Sequence, residues 1–190
     1  MKEILSLVRE VLERKITDQD KTQKPKIYAT TSMSNLAADE EHFGFQLPPL
    51  LKVLYCEIGN GGFGPGYGLI GMSSGAPDDT GKTALEIYEQ LREGDPDNPA
   101  CNWPTGLLPI CHWGCAILSC IDCADEKFSV RVFDPNIVGD SGMWDGSFFE
   151  EAASFDAWMT AWVEGRDLWN QTYGDNGTIT LTLSQRKAPT

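Results

Sequence analysis

Residues 39–62 read DEEHFGFQLPPLLKVLYCEIGNGG, from Asp39 to Gly62. A polar helical segment through Asp39–His42 ends at Gly44, where glycine closes a helix without steric cost. Leu47-Pro48-Pro49 opens a second helix, since proline is tolerated in a first turn whose N–H groups have no intrahelical partner. Leu50, Leu51, Val53, Leu54 and Ile58 give that helix a buried stripe. Gly59-Asn60-Gly61-Gly62 then stops it and turns the chain sharply, because these residues accept positive φ.

Working outward, Ile4, Leu5, Val8, Val11 and Leu12 recur at three- and four-residue spacing and predict an amphipathic helix over 2–15. Residues 16–33 are polar and read as a linker. Ser34 is the expected N-cap of the helix that reaches His42. Downstream, Phe63–Met72 reads as irregular loop passing into a short strand at 68–72, and a helix is expected over 82–93. Residues 94–106 are broken by prolines. Strands are expected at 107–111 and 115–122, with His112-Trp113-Gly114 as the turn between them. A further strand is expected at 127–134, followed by a helix over 155–164 capped by Ser154. Asp175-Asn176-Gly177 is a hairpin-type turn signal, and Thr178–Leu183 alternates like an extra strand.

Helices, then strands close enough in sequence to pair antiparallel, then a helix: that order predicts a single α+β domain. Its mostly antiparallel or mixed central sheet would be packed against helices. The segment Asp39–Gly44, Leu47-Pro48, an apolar helix and Asn60-Gly61-Gly62 together resemble the signature of the SUKH superfamily. That group contains Smi/Knr-type cell-wall-assembly regulators and many bacterial immunity proteins. Leu108-Pro109-Ile110 leading into paired strands and Ser154-Phe155 opening a last helix agree with it. The resemblance spans about 34–165, leaving 1–33 as a helix and linker and 166–190 as a C-terminal extension. It implies no family-wide catalytic residues and no cofactor. It also implies action by binding, in many bacterial members the neutralisation of a toxin of nuclease or deaminase class. Within the signature, Leu47, Pro48, Asn60, Gly61 and Gly62 read as structural. The glycine-rich loop lacks the Gly-Lys-Ser/Thr end of a phosphate-binding loop and follows a helix rather than opening one.

Charge sharpens the functional expectation. The chain of 190 residues carries 28 acidic side chains against 15 Lys plus Arg, a net charge of −13. Residues 1–31 hold seven basic and five acidic side chains, net +2; residues 32–190 hold eight and 23, net −15. So negative a surface repels phosphate backbones and excludes a direct nucleic-acid binder. It attracts a basic protein partner and speeds the encounter. Acidity also serves solubility alone. No apolar run reaches the ~18 residues of a membrane span. Arg9, Glu10, Glu13 and Arg14 interrupt any secretory core, so a reducing cytoplasm with free thiols is expected.

Three groups of residues could carry chemistry. Cys111, Cys115, Cys120 and Cys123 have ligand-like spacing, but thiols along a strand alternate faces and do not converge on one zinc ion. Adjacent Cys111 and His112 point apart in an extended chain, which disfavours a nucleophile–base pair, and no acid is placed by sequence to orient His112 or His42. The paired carboxylates, Glu150-Glu151 and Asp122 among them, are expected in loops and helix starts as a solvated face. Trp103 and Trp144, set among Asp78, Asp79, Asp95, Asp97 and Asp145, resemble aromatic anchors ringed by acid, as a basic partner would require. The plain alternative for both tryptophans is a loop plug.

Overall fold

The computed structural model describes residues 1–17, 26–94, 101–137 and 144–174. The expected strand at 178–183, and Asp95 and Asp97, lie outside the described residues. The elements run α1 (Lys2–Thr17), α2 (Met33–Phe43), α3 (Pro49–Glu57), α4 (Ala84–Glu93), β1 (Leu107–Gly114) and β2 (Ile117–Asp122). They continue with β3 (Val130–Phe133), β4 (Phe148–Ala152), α5 (Phe155–Val163) and α6 (Leu168–Tyr173). The strands form one antiparallel meander in the order β1-β2-β3-β4. The fold is α+β in a single domain.

The apolar stripes read from the sequence meet in one core. Leu5, Val8 and Leu12 of α1 join Leu50, Leu51 and Leu54 of α3, Ile110 and Ile121 of the sheet, and Phe155 and Trp158 of α5. α1 packs on α5, α4 packs on β1, and α3 touches both α2 and α5. Ser154 caps α5 as expected, its Oγ accepting from Ala157 N at 3.1 Å. α4 opens with a capping box in which Thr83 N donates to Glu86 Oε2 at 2.7 Å.

Several local expectations need correction. The cap of α2 is Ser32, whose Oγ accepts from Asn35 N at 3.1 Å; Ser34 lies inside the first turn and bonds back to Ser32. The described part of the presumed linker is tied down: Tyr28 N donates to Gly61 O, and Asn60 N donates to Ala29 O. The strand expected at 68–72 reduces to a single bridge, Leu69 to Cys111: Ile70 N donates to Ile110 O within it, while Leu69 O accepts from Gly62 N instead of from β1.

His112-Trp113-Gly114 belongs to β1. The hairpin turns instead at Cys115 and Ala116, both at positive φ as a two-residue type I′ turn requires. The strand expected at 127–134 starts only at Val130, since Phe128 has positive φ and closes a turn onto Asp125 O. Glu150 and Glu151 lie in β4 rather than in loops, an element whose Phe-Phe-Glu-Glu sequence shows no alternation. Phe148 faces Phe133 while Phe149 faces Val132, so both sides of the strand are buried.

α6 carries no strong sequence signal. It lies over a small second cluster of Ile117, Val132, Phe149 and Tyr173, and Tyr173 donates to Asp134 Oδ2 at 2.9 Å.

Candidate functional site

The acidic–glycine signature builds a buried joint. Asn60 accepts from Met72 N at 2.9 Å and donates to Ser73 O at 3.2 Å. Ser73 in turn donates to Asp39 Oδ1 at 2.5 Å. One residue on in α2, Glu40 accepts from Leu47 N at 2.8 Å and from Lys52 Nζ at 2.7 Å, so α2, the Leu-Pro start and α3 are clamped together. Gly61 and Gly62 have φ of +87° each, and a Cβ on Gly61 would sit 2.6 Å from Leu69 O. On Gly62 it would collide with Lys26 O. Pro48 supplies the extended residue before the helix, and Leu47 is fully buried. Asp39 and Glu40 both belong to this joint, Asp39 anchored by the Ser73 hydroxyl and Glu40 by the Leu47 backbone N–H and the Lys52 ammonium.

The far end of the same loop is open. A groove of about 730 Å³ runs between the glycine-rich loop 62–68, the turn Pro77–Asp79, Tyr28 and Trp162, with His112 in its wall. Tyr67 stands over it, 71% exposed, its ring tilted above the His112 imidazole at a centroid distance of 5.5 Å. The loop is held there by Tyr67 N, which donates to His112 O at 3.1 Å, and by Gly66, where a Cβ would meet that same oxygen at 2.8 Å. Asp79 Oδ1 lies 3.5 Å from His112 Nε2, an ion-pair distance; the carboxylate is 57% exposed and the imidazole 7%. His112 Nδ1 is buried without a hydrogen-bond partner. An acid does therefore face His112, and Glu89 meets His42 at 2.6 Å, because α4 and the 76–79 turn fold back from distant positions.

The acids and tryptophans singled out from sequence do not form one site. Asp79 lines the groove. Asp78 is the keystone of its own turn, with Oδ1 accepting from Thr80 N, Thr80 Oγ1 and Lys82 N. Trp103 is 1% exposed, donates Nε1 to Leu107 O at 2.6 Å and packs edge-on against Phe133 and Phe148. It is an interior plug rather than a surface anchor, since its indole closes the end of the core beneath the 101–106 loop. Trp144 is half-buried beside it, with a ring centroid distance of 5.0 Å to Phe133. Asp145 belongs to the 3₁₀ turn Trp144–Gly146, its side chain outside the described set. Tyr67, His112 and Tyr28 were missed as site residues. The only available signal was an exposed-type aromatic amid glycines.

The thiols do not converge. Cys115 is exposed in the hairpin turn, whereas Cys111 and Cys120 are buried, Cys111 donating to Pro65 O at 3.3 Å. Burial, with the nearby Glu151 charge, pushes both buried thiols well above the usual range. Among the described residues no group of three or more His, Cys, Asp or Glu side chains could hold a metal ion. On the sheet, Trp113 Nε1 donates to Ser119 Oγ at 2.8 Å and Ser119 donates to Glu151 Oε2 at 2.7 Å. Burial pushes the Glu151 carboxyl up to about 7, opposed in part by the Ser119 bond. Asp122 pairs with Arg131 at 2.7 Å across β2 and β3, so it too is no part of a solvated face.

The described residues thus present a clamped polar joint and an open aromatic groove. The model of the SMI1 / KNR4 family (SUKH-1) matches residues 31–161, and the chain belongs to that family. The match takes in α2 through most of α5 and leaves α1 and α6 outside it. Comparison with curated proteins gives no match. Among the described residues no helix is long and apolar enough to cross a membrane.

Proposed function

We propose that this protein acts by binding another protein, as an immunity-type member of its family that occupies a basic toxin of nuclease or deaminase class in the cytoplasm. The observation that carries the reading is the charge of residues 32–190, 23 acidic side chains against eight basic, on a chain of the SUKH-1 family. An acidic surface steers a basic partner into contact and stands in for the anionic substrate that such a toxin binds. No catalytic step is needed: occupying the toxin's working face is the activity.

The test begins with affinity capture from the native cell, washed at low and at high salt, with partners identified by mass. The captured partner is then purified and its association rate measured from low to high ionic strength. Steering predicts a fall of about tenfold or more, because added salt shortens the range of the attraction. Expression of the partner alone should arrest growth, and co-expression of this protein should restore it. A partner that is harmless when expressed alone would instead mark an endogenous regulatory or scaffold role. A rate indifferent to salt would remove the steering mechanism.

A further inference from the structure

We propose that the groove beneath Tyr67 is the specificity pocket of the partner surface and that it receives an arginine side chain presented by the partner protein. This rests on the binding reading above and gives it a location and a chemistry.

What lines the groove selects the ligand. Asp79 offers an exposed carboxylate at one end, and its neighbour Asp78 has an oxygen already committed to Thr80 and Lys82. His112 holds the Asp79 carboxylate at the groove's wall, its Nε2 3.5 Å from Asp79 Oδ1. The exposed Asp79 carboxylate calls for a ligand that brings N–H groups. The walls are aromatic: Tyr67 on the outside, Tyr28 and Trp162 further along. A planar guanidinium both stacks on such rings and pairs with a carboxylate in two-point fashion, which a compact ammonium does less well. Tyr28 already carries a cation in this manner, with Lys26 Nζ 4.8 Å from its ring centroid. Tyr67 is exposed and backed by glycines, so it can swing off the imidazole to let the side chain in. Lys26 also lines the groove, its Nζ over Tyr28, so a phosphate- or carboxylate-bearing ligand is the competing occupant, which would have to sit away from Asp79.

The full chain, isotope-labelled, is titrated with an acetyl-glycyl-arginyl-glycine amide peptide and followed by nuclear magnetic resonance. The chain has two histidines, so the His112 ring signals are separable from those of His42. The expected result is a saturable shift of the His112 ring and of the Gly64, Gly66 and Gly68 amides. Affinity should be at least fivefold tighter than for the matching citrulline peptide, which keeps the shape and loses the charge. Asp79→Asn and Tyr67→Ala should each abolish the shift, whereas Asp156→Asn, an equal charge change on the exposed side of α5, should leave it intact. Equal binding of the citrulline peptide would overturn the proposal. So would shifts spread over the acidic surface, or stronger shifts with inorganic phosphate. A basic partner whose salt-dependent association is unchanged by Asp79→Asn and Tyr67→Ala would overturn the groove while leaving the binding reading in place.

Discussion

Asn60 and His112 are both polar, both nearly buried, and both packed against the loop that runs from Gly59 to Asp79. Asn60 has each end of its amide matched, by Met72 N and by Ser73 O, and Ser73 passes the chain of bonds on to Asp39. His112 has one nitrogen at ion-pair distance from an exposed acid and the other with no partner at all. The first end of the loop is a joint tied by a continuous chain of bonds, although Asp39 Oδ2 at its end has no partner among the described residues. The second sets an exposed carboxylate, Asp79, beside an open groove. Buried polar groups cost free energy unless they are paired, and each end carries one such atom, Asp39 Oδ2 and His112 Nδ1; what separates the ends is the open groove beside His112.

Substitutions at the two ends should separate these roles, beginning with the joint. Gly62→Ala places a Cβ against Lys26 O at a positive φ, and is expected to lower unfolding free energy by about 3 kcal/mol or more in a urea titration. A loss under about 1 kcal/mol would mean the loop shifts freely and is no joint. Asn60→Ala leaves the buried Met72 N–H without an acceptor, at a cost of about 2 kcal/mol.

Glu151 lies between the two cases: it accepts a bond from Ser119, yet burial raises its pKa to about 7. The folded state therefore holds a proton that the unfolded chain releases near the ordinary carboxyl value. That contribution to stability is complete below about pH 4.5 and is lost as pH rises through about 7. Glu151→Gln keeps the neutral form at every pH. The stability of Glu151→Gln relative to the parent should accordingly rise by on the order of 2 kcal/mol between pH 5 and pH 8, read by denaturation at each pH. A difference constant with pH would place Glu151 among ordinary solvated acids.

The smallest effects on stability belong to the groove. Tyr67→Ala and Asp79→Asn should change unfolding free energy by no more than about 0.5 kcal/mol, since both side chains are largely exposed. A large destabilisation by either would make the groove a second joint and erase the contrast.

The joint was legible in the sequence and the groove was not. Asp39–Gly44, Leu47-Pro48 and Asn60-Gly61-Gly62 act through local conformation: proline opens a helix, glycine takes positive φ, and neither depends on distant chain. The apolar stripes of α1, α3, α4 and α5 were readable for the same reason, as periodicity is a property of a few neighbouring turns. The hairpin turn at Cys115-Ala116 was hidden because neither residue favours positive φ; the pairing of β1 with β2 holds them there. β4 was hidden because burial on both faces removes alternation.

By itself, the sequence determined the α+β class, the family resemblance, the acidity and the boundaries of α1 to α5 to within a turn. These follow from composition and from interactions spanning a few residues. Only the tertiary structure decided that Trp103 is interior while Tyr67 is exposed. The meeting of Asp79 with His112 across 33 residues of chain was likewise decided there. Which groups share a site depends on how the sheet, α4 and the glycine loop pack together, and no local pattern carries that distance information.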